Sequence, residues 1–159
     1  MIPKLLMIVK NAFLLLIMFA LASCSNNMSG QMAQQAKVDD SLIRVYLKAN
    51  PQIKAVKDPS GLYYQIIKPG TGVAPTEGST VTVNYTCSLM GGQLYDKGNN
   101  FSSPLSGLVK AWQIGVPHLK PGGNMILYVP SHLAYGAAGA GPIPENAVLT
   151  FDIDLVSVP

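Results

Sequence analysis

Leu149-Thr150-Phe151-Asp152-Ile153-Asp154-Leu155 alternates apolar and polar side chains without a break. Successive side chains of an extended strand point to opposite faces, so this run buries one face and leaves the other wet. The same period of two recurs upstream in Val81, Val83 and Tyr85, set among Thr80, Thr82, Asn84 and Thr86. Leu62 to Ile67 is rich in aromatic and β-branched residues, and Lys68-Pro69-Gly70-Thr71-Gly72 breaks it. Gly91-Gly92 makes a turn before Gln93-Leu94-Tyr95, and Met125 to Val129 reads as another short strand. One short helix fits among them, Leu108 to Val116, which carries Trp112 and is stopped by Pro117. The pattern predicts an α+β architecture in which an antiparallel sheet buries one face against a single short helix.

Upstream, Leu42, Ile43, Tyr46 and Leu47 recur at helical steps between Asp39 and Asn50. Asp39 or Asp40 can cap this helix and Asn50-Pro51 ends it, with its apolar face docked on the domain, a partner site being the alternative. Ser25 to Gln35 is polar and aperiodic and is expected to be a flexible tether. Met1 to Ser23 reads as a secretory signal: Lys4 and Lys10 precede the short apolar run Asn11 to Leu21. The tetrapeptide Leu21-Ala22-Ser23-Cys24 resembles the lipobox of bacterial lipoproteins. That resemblance implies lipidation of Cys24 and a chain held to a membrane without crossing it. Ser25 is not the Asp of inner-membrane retention, which favours the outer membrane, facing the periplasm. A retained anchor and an ordinary signal peptide are the alternatives. The expected organisation is a signal over 1–23, a tether over 24–37, a short helix and linker over 38–60, and a domain over 61–159.

Charged residues are 12% of the 159 and hydrophobic ones 48%. With Lys4 and Lys10 set aside, nine basic residues face eight acidic ones. That balance offers no electrostatic reason for a nucleic-acid partner. Cys24 and Cys87 are the two cysteines, and a disulfide between them is possible on paper. If Cys24 carries lipid, Cys87 is unpaired, and its alternation with Val81, Val83 and Tyr85 makes it a small buried residue. His118 and His132 have no second ligand at a metal-binding spacing. Gly136 to Gly141 superficially suggests a nucleotide loop, but Pro142 and Pro144 stand where a phosphate-binding helix would begin.

Six segments, in order, resemble the FKBP-type peptidyl-prolyl isomerases. They are Val81-Thr82-Val83-Asn84-Tyr85, Gly92-Gln93-Leu94-Tyr95-Asp96, Leu108-Val109-Lys110-Ala111-Trp112, Leu133-Ala134-Tyr135-Gly136, Ile143-Pro144-Glu145-Asn146, and the strand from Leu149 to Leu155. The resemblance runs from about Gly61 to Val158. It implies a five- or six-stranded antiparallel sheet curled around the short helix, with a pocket between them. Carried over, Tyr85, Tyr95, Leu108, Val109, Trp112, Tyr135, Ile143 and Phe151 line that pocket. Trp112 is its floor, the Val109 N–H holds a substrate carbonyl, and Asp96 and the Tyr135 hydroxyl supply polar contacts. Asp96, Trp112, Tyr135 and Phe151 are thus the expected catalytic set. Tyr95 stands in place of the family's Phe, Ala111 in place of its Gly, and Lys97-Gly98 in place of Ser-Ser. Phe101 to Leu105 aligns poorly.

The resemblance further implies proline-containing polypeptides as substrates and macrolides of the FK506 type as pocket ligands. A peptide-binding or chaperone module without catalysis would use the same pocket and is the alternative. Isomerisation breaks no covalent bond; it twists an imide against a barrier of about 18–20 kcal/mol. An apolar site that disfavours the planar, more polar form relative to the twisted one accelerates this without nucleophile, metal or cofactor.

Overall fold

The computed structural model describes residues 28–159. The expected signal segment, Cys24 and the first residues of the expected tether lie outside the described residues. Two compact units divide the chain, Met1–Gln35 and Ala36–Pro159. Of the first, residues 28–35 are described, and they are helical.

The second unit is built on a six-stranded sheet whose ladders are all antiparallel. Its strands are β1 (Val56–Lys57), β2 (Tyr63–Lys68), β3 (Thr80–Leu89), β4 (Leu94–Pro104), β5 (Gly123–Val129) and β6 (Leu149–Ser157). Their spatial order is β1-β2-β5-β6-β3-β4, which puts β6 between β5 and β3. Helix α1 covers residues 28–49. Helix α2 (Lys110–Gly115) runs on into a 3-10 turn, Val116–His118.

One face of the sheet carries the main core. Leu149, Phe151, Ile153 and Leu155 of β6 are buried there, as their alternation predicts. They share it with Met125, Leu127 and Val129 of β5 and with Ala111, Trp112 and Val116 beneath and beyond α2. The helix comes very near β5: a β-carbon on Gly115 would stand 2.7 Å from the Leu127 Cδ2. Only glycine permits that approach.

The opposite face is covered too, which the sequence pattern of one buried face did not anticipate. Tyr128 alternates with Leu127 and Val129 and so points the other way. It joins Ile43, Tyr63 and Val148 in a second buried cluster. Tyr46 of α1 meets the Tyr128 ring at 5.9 Å. Burying a side chain such as Ile43, which is 0% exposed, contributes roughly 1.5–3 kcal/mol.

Polar ties reinforce this outer layer. Asp39 is buried, and its Oδ2 accepts the Ser131 N–H at 2.8 Å and the Ser131 hydroxyl at 2.7 Å. Asp40 accepts the Tyr63 hydroxyl at 2.8 Å and pairs with Lys57 at 2.6 Å and Arg44 at 3.1 Å. Neither aspartate caps a helix; both lie inside α1.

Several boundaries therefore move. The tether expected over 24–37 is helical over its described residues, 28–37, where Met, Gln and Ala are strong helix formers even without an apolar stripe. Leu42, expected on the docked face, is 48% exposed; Asp39, Ile43, Tyr46 and Leu47 make the contact instead. The compact unit that holds the sheet runs from Ala36 to Pro159, and β1 already pairs with β2 before residue 61. The α-helix starts at Lys110, not Leu108, since Val109 is its extended N-cap.

Asp39→Ala is expected to cost about 2–4 kcal/mol in urea denaturation, because it strands both the N–H and the hydroxyl of a buried serine. Leu42→Ala, on the exposed side of the same helix, should stay within about 0.5 kcal/mol. Equal losses for the two would show that Asp39 is not a structural tie.

Candidate functional site

The site grows from α2. Val109 at its N-cap leaves an N–H outside the helical ladder, while its carbonyl accepts the Trp112 N–H at 2.9 Å. One turn in, Trp112 reaches toward the sheet and is only 3% exposed. Its ring meets Phe151 of β6 at 5.6 Å and 89°, and Tyr85 of β3 at 5.1 Å and 80°. Phe101 of β4 adds a fourth ring, 5.8 Å and 71° from Tyr85. These are edge-to-face contacts, in which the positive edge of one ring meets the negative face of another. The buried indole Nε1 has no hydrogen-bond partner among the described residues.

Between these rings lies a cavity of about 140 Å³, lined by Tyr85, Asp96, Phe101, Leu108, Val109, Trp112, Tyr135 and Phe151. Tyr135 arrives from the segment after β5, just past a 3-10 turn at Ser131–Leu133. Asp96 stands at the exposed rim. Its Oδ2 accepts the Tyr85 hydroxyl at 2.7 Å and its Oδ1 accepts the Lys97 N–H at 2.8 Å. Burial, then the bond to the Asp96 carboxylate, pushes the Tyr85 hydroxyl up to about 12. Burial also raises Tyr135. Tyr85 is therefore a fixed donor at any ordinary pH. Cys87, two residues on in β3, is a free buried thiol, lifted to about 11 by burial. Among the described residues no cluster of His, Cys, Asp or Glu side chains is placed to hold a metal.

Of the residues singled out from the sequence, Tyr85, Asp96, Leu108, Val109, Trp112, Tyr135 and Phe151 meet around this one cavity. Tyr95 and Ile143 are not among its lining residues. Tyr95 is the extra residue of a bulge, where Cys87 faces Asp96 and Ser88 faces Leu94; it packs on the core periphery. Ile143 is buried in the core and pairs with Ala140 in an isolated bridge. Phe101, left unplaced by the sequence, does line the cavity. Its signal is hidden by a second irregularity in β4, which breaks the alternation just before it.

Rings around a space this small, with a carboxylate and backbone amide at the rim, form a receptor for one compact apolar ring borne on a polar chain. Comparison with known proteins agrees with that class. Residues 72–156 match the family described as FKBP-type peptidyl-prolyl cis-trans isomerase. FkpA of Escherichia coli K12 is 34% identical over 142 residues, which cover 86% of this chain and 53% of that protein. Mip of Coxiella burnetii is 39% identical over 121 residues, covering 72% and 53%. The crystal structure of E. coli FkpA superposes with a TM-score of 0.69 at 29% identity, covering 98% of this chain and 80% of that one. The chain belongs to the FKBP-type peptidyl-prolyl cis-trans isomerase family. It spans about half the length of the two sequence relatives.

The Tyr85 hydroxyl carries a pH signature. A group whose proton is held more tightly in the folded state stabilises that state below its ordinary value and loses the contribution as the proton leaves. For Tyr85 that contribution is intact below pH 10 and disappears toward about 12. The alkaline loss of stability, followed by thermal melts, should be shallower in Tyr85→Phe than in the parent. Identical profiles would mean that Tyr85 is not held in this bond.

Proposed function

We propose that this protein catalyses cis/trans isomerisation of Xaa-Pro bonds in polypeptides. The observation that carries the reading is the ring-walled cavity with the buried Trp112 at its base. At about 140 Å³ it suits one proline ring rather than a whole drug-sized ligand, whose pockets run to about 300–1,000 Å³. Trp112, Phe151 and Tyr85 receive the ring by apolar contact. The Val109 N–H, without a partner among the described residues, is available to the carbonyl preceding or following it. Asp96, held by Tyr85 and Lys97, keeps the upper wall in place. The planar imide is more polar than the twisted one, so transfer into this apolar site narrows the gap between them. Uncatalysed, the step takes tens to hundreds of seconds.

The protein should accelerate isomerisation of short Xaa-Pro peptides. Asp96→Ala should lower kcat/KM about tenfold or more with stability falling by only about 1 kcal/mol, the scale of the hydrogen bond lost to the Tyr85 hydroxyl. Trp112→Leu should lower it further. A parent-like rate in either variant would remove the pocket from the reaction. Binding of a macrolide of the FK506 type without any acceleration would favour the peptide-binding or chaperone alternative.

We also propose that the domain works outside the cytoplasm, tethered through lipid on Cys24 and assisting exported proteins. The support is the order of charged segment, apolar run and lipobox-like Leu21-Ala22-Ser23-Cys24. Metabolic labelling with a radioactive fatty acid should mark the parent and not Cys24→Ser. Absence of label in a bacterium that processes lipoproteins would refute the tether.

A further inference from the structure

β4 is not a regular strand where it passes the cavity. Val83 faces Phe101 and Tyr85 faces Gly98, so Asn84 alone stands opposite both Asn99 and Asn100. Asn100 takes a φ of 51°, and its N–H donates to the Asn84 Oδ1 at 2.8 Å. Such a bulge bends its strand and re-aims the side chains that follow. Here it falls between Asp96 and Phe101, the two residues that β4 gives to the cavity.

Gly98 lies directly across the ladder from Tyr85, and the tyrosine ring rests over it. A β-carbon at position 98 would stand 2.5 Å from the Tyr85 Cε1 and 3.2 Å from its Cδ1 and Cζ. The backbone of Gly98 is not in the left-handed region, so the missing side chain, not backbone freedom, is what the site uses. The ring is held from its other sides. Trp112 and Phe101 meet it at 5.1 and 5.8 Å, and its hydroxyl is held by Asp96 at 2.7 Å.

We propose that Gly98 and Asn84 are positioning residues of this site: Gly98 is the seat of the Tyr85 ring, and Asn84 pins the bulge that turns Phe101 toward it. A side chain at 98 drives the ring into the cavity or off Asp96. Loss of the Asn84 amide frees Asn100 and loosens Phe101. The activity arm of the test rests on the prolyl-isomerase reading above; the placement of the rings does not.

The test compares Gly98→Ala and Asn84→Ala with Gly78→Ala, whose added carbon meets nothing within 4 Å. Gly98→Ala is made with and without Tyr85→Leu. Three quantities are read: thermal midpoint, kcat/KM toward a short Xaa-Pro peptide, and emission of Trp112, the one tryptophan of the chain. Gly98→Ala should lower kcat/KM about tenfold, short of the roughly hundredfold that a full ångström of misplacement can cost, and alter the emission of the ligand-free protein. In the Tyr85→Leu background it should cause no further loss. Asn84→Ala should raise KM about threefold with kcat kept, and Gly78→Ala should change nothing. A folded Gly98→Ala with parent-like rate and emission overturns the proposal, as does an equal further loss in both backgrounds. If Gly98→Ala does not fold, Asn84→Ala decides, since it adds no bulk: parent-like KM and emission overturn the proposal. A parent inactive on peptides refutes the isomerase reading alone, and emission then decides the positioning.

Discussion

The indole of Trp112, buried edge-on against Phe151 and Tyr85, is the contact on which the site depends. Leu127 and Phe151 are neighbours across the β5–β6 ladder. One turn of α2 sets Gly115 on the first and Trp112 on the second. The helix can approach Leu127 through a residue with no side chain, while a whole bicyclic ring stands between it and Phe151. Space between helix and sheet is thus produced by a size difference at two positions on one helix face. A close-packed interior would otherwise fill it.

What surrounds that space is chemically quiet. Its polar groups are two tyrosines that keep their protons, Tyr85 and Tyr135, the Trp112 N–H, a carboxylate already accepting two hydrogen bonds, and backbone amides. None is poised to transfer a proton or attack a carbonyl. A torsional reaction asks for shape and polarity rather than for a nucleophile, and a set of rings meeting at right angles supplies a stiff shape.

The parts of this arrangement legible in the sequence are those that follow a period. Leu149 to Leu155 declared its buried face because a half-buried strand cannot avoid alternation. Trp112 and Phe151 were legible through the family resemblance, with Tyr85 and Asp96. The rest was hidden for three physical reasons. Helix α1 is already formed at residue 28, where the described residues begin, and no apolar stripe marks that part of it. Its docking face uses a buried aspartate, Asp39, where a sequence reader looks for a leucine. Phe101 and Tyr95 sit at bulges, and an extra residue in a strand reverses the facing of everything after it. Resemblance carried Tyr95 and Ile143 to the cavity, but only the ladder register shows that Tyr95 falls out of step. Legibility failed where the chain departs from repetition, and in β4 that departure is what shapes the wall.

The order of strands also sets a timetable. β2 and β5 lie on one side of β6, β3 and β4 on the other, and those two halves share no ladder except through β6. Every strand that β6 joins precedes it in the chain. During synthesis the β3–β4 hairpin can form early, while Phe151 and the seam it belongs to arrive last. Until then the edges of β3 and β5 that β6 will join are unpaired, the condition under which long-range sheets fold slowly and attract other chains. A protein of this topology is itself a demanding client of the folding machinery.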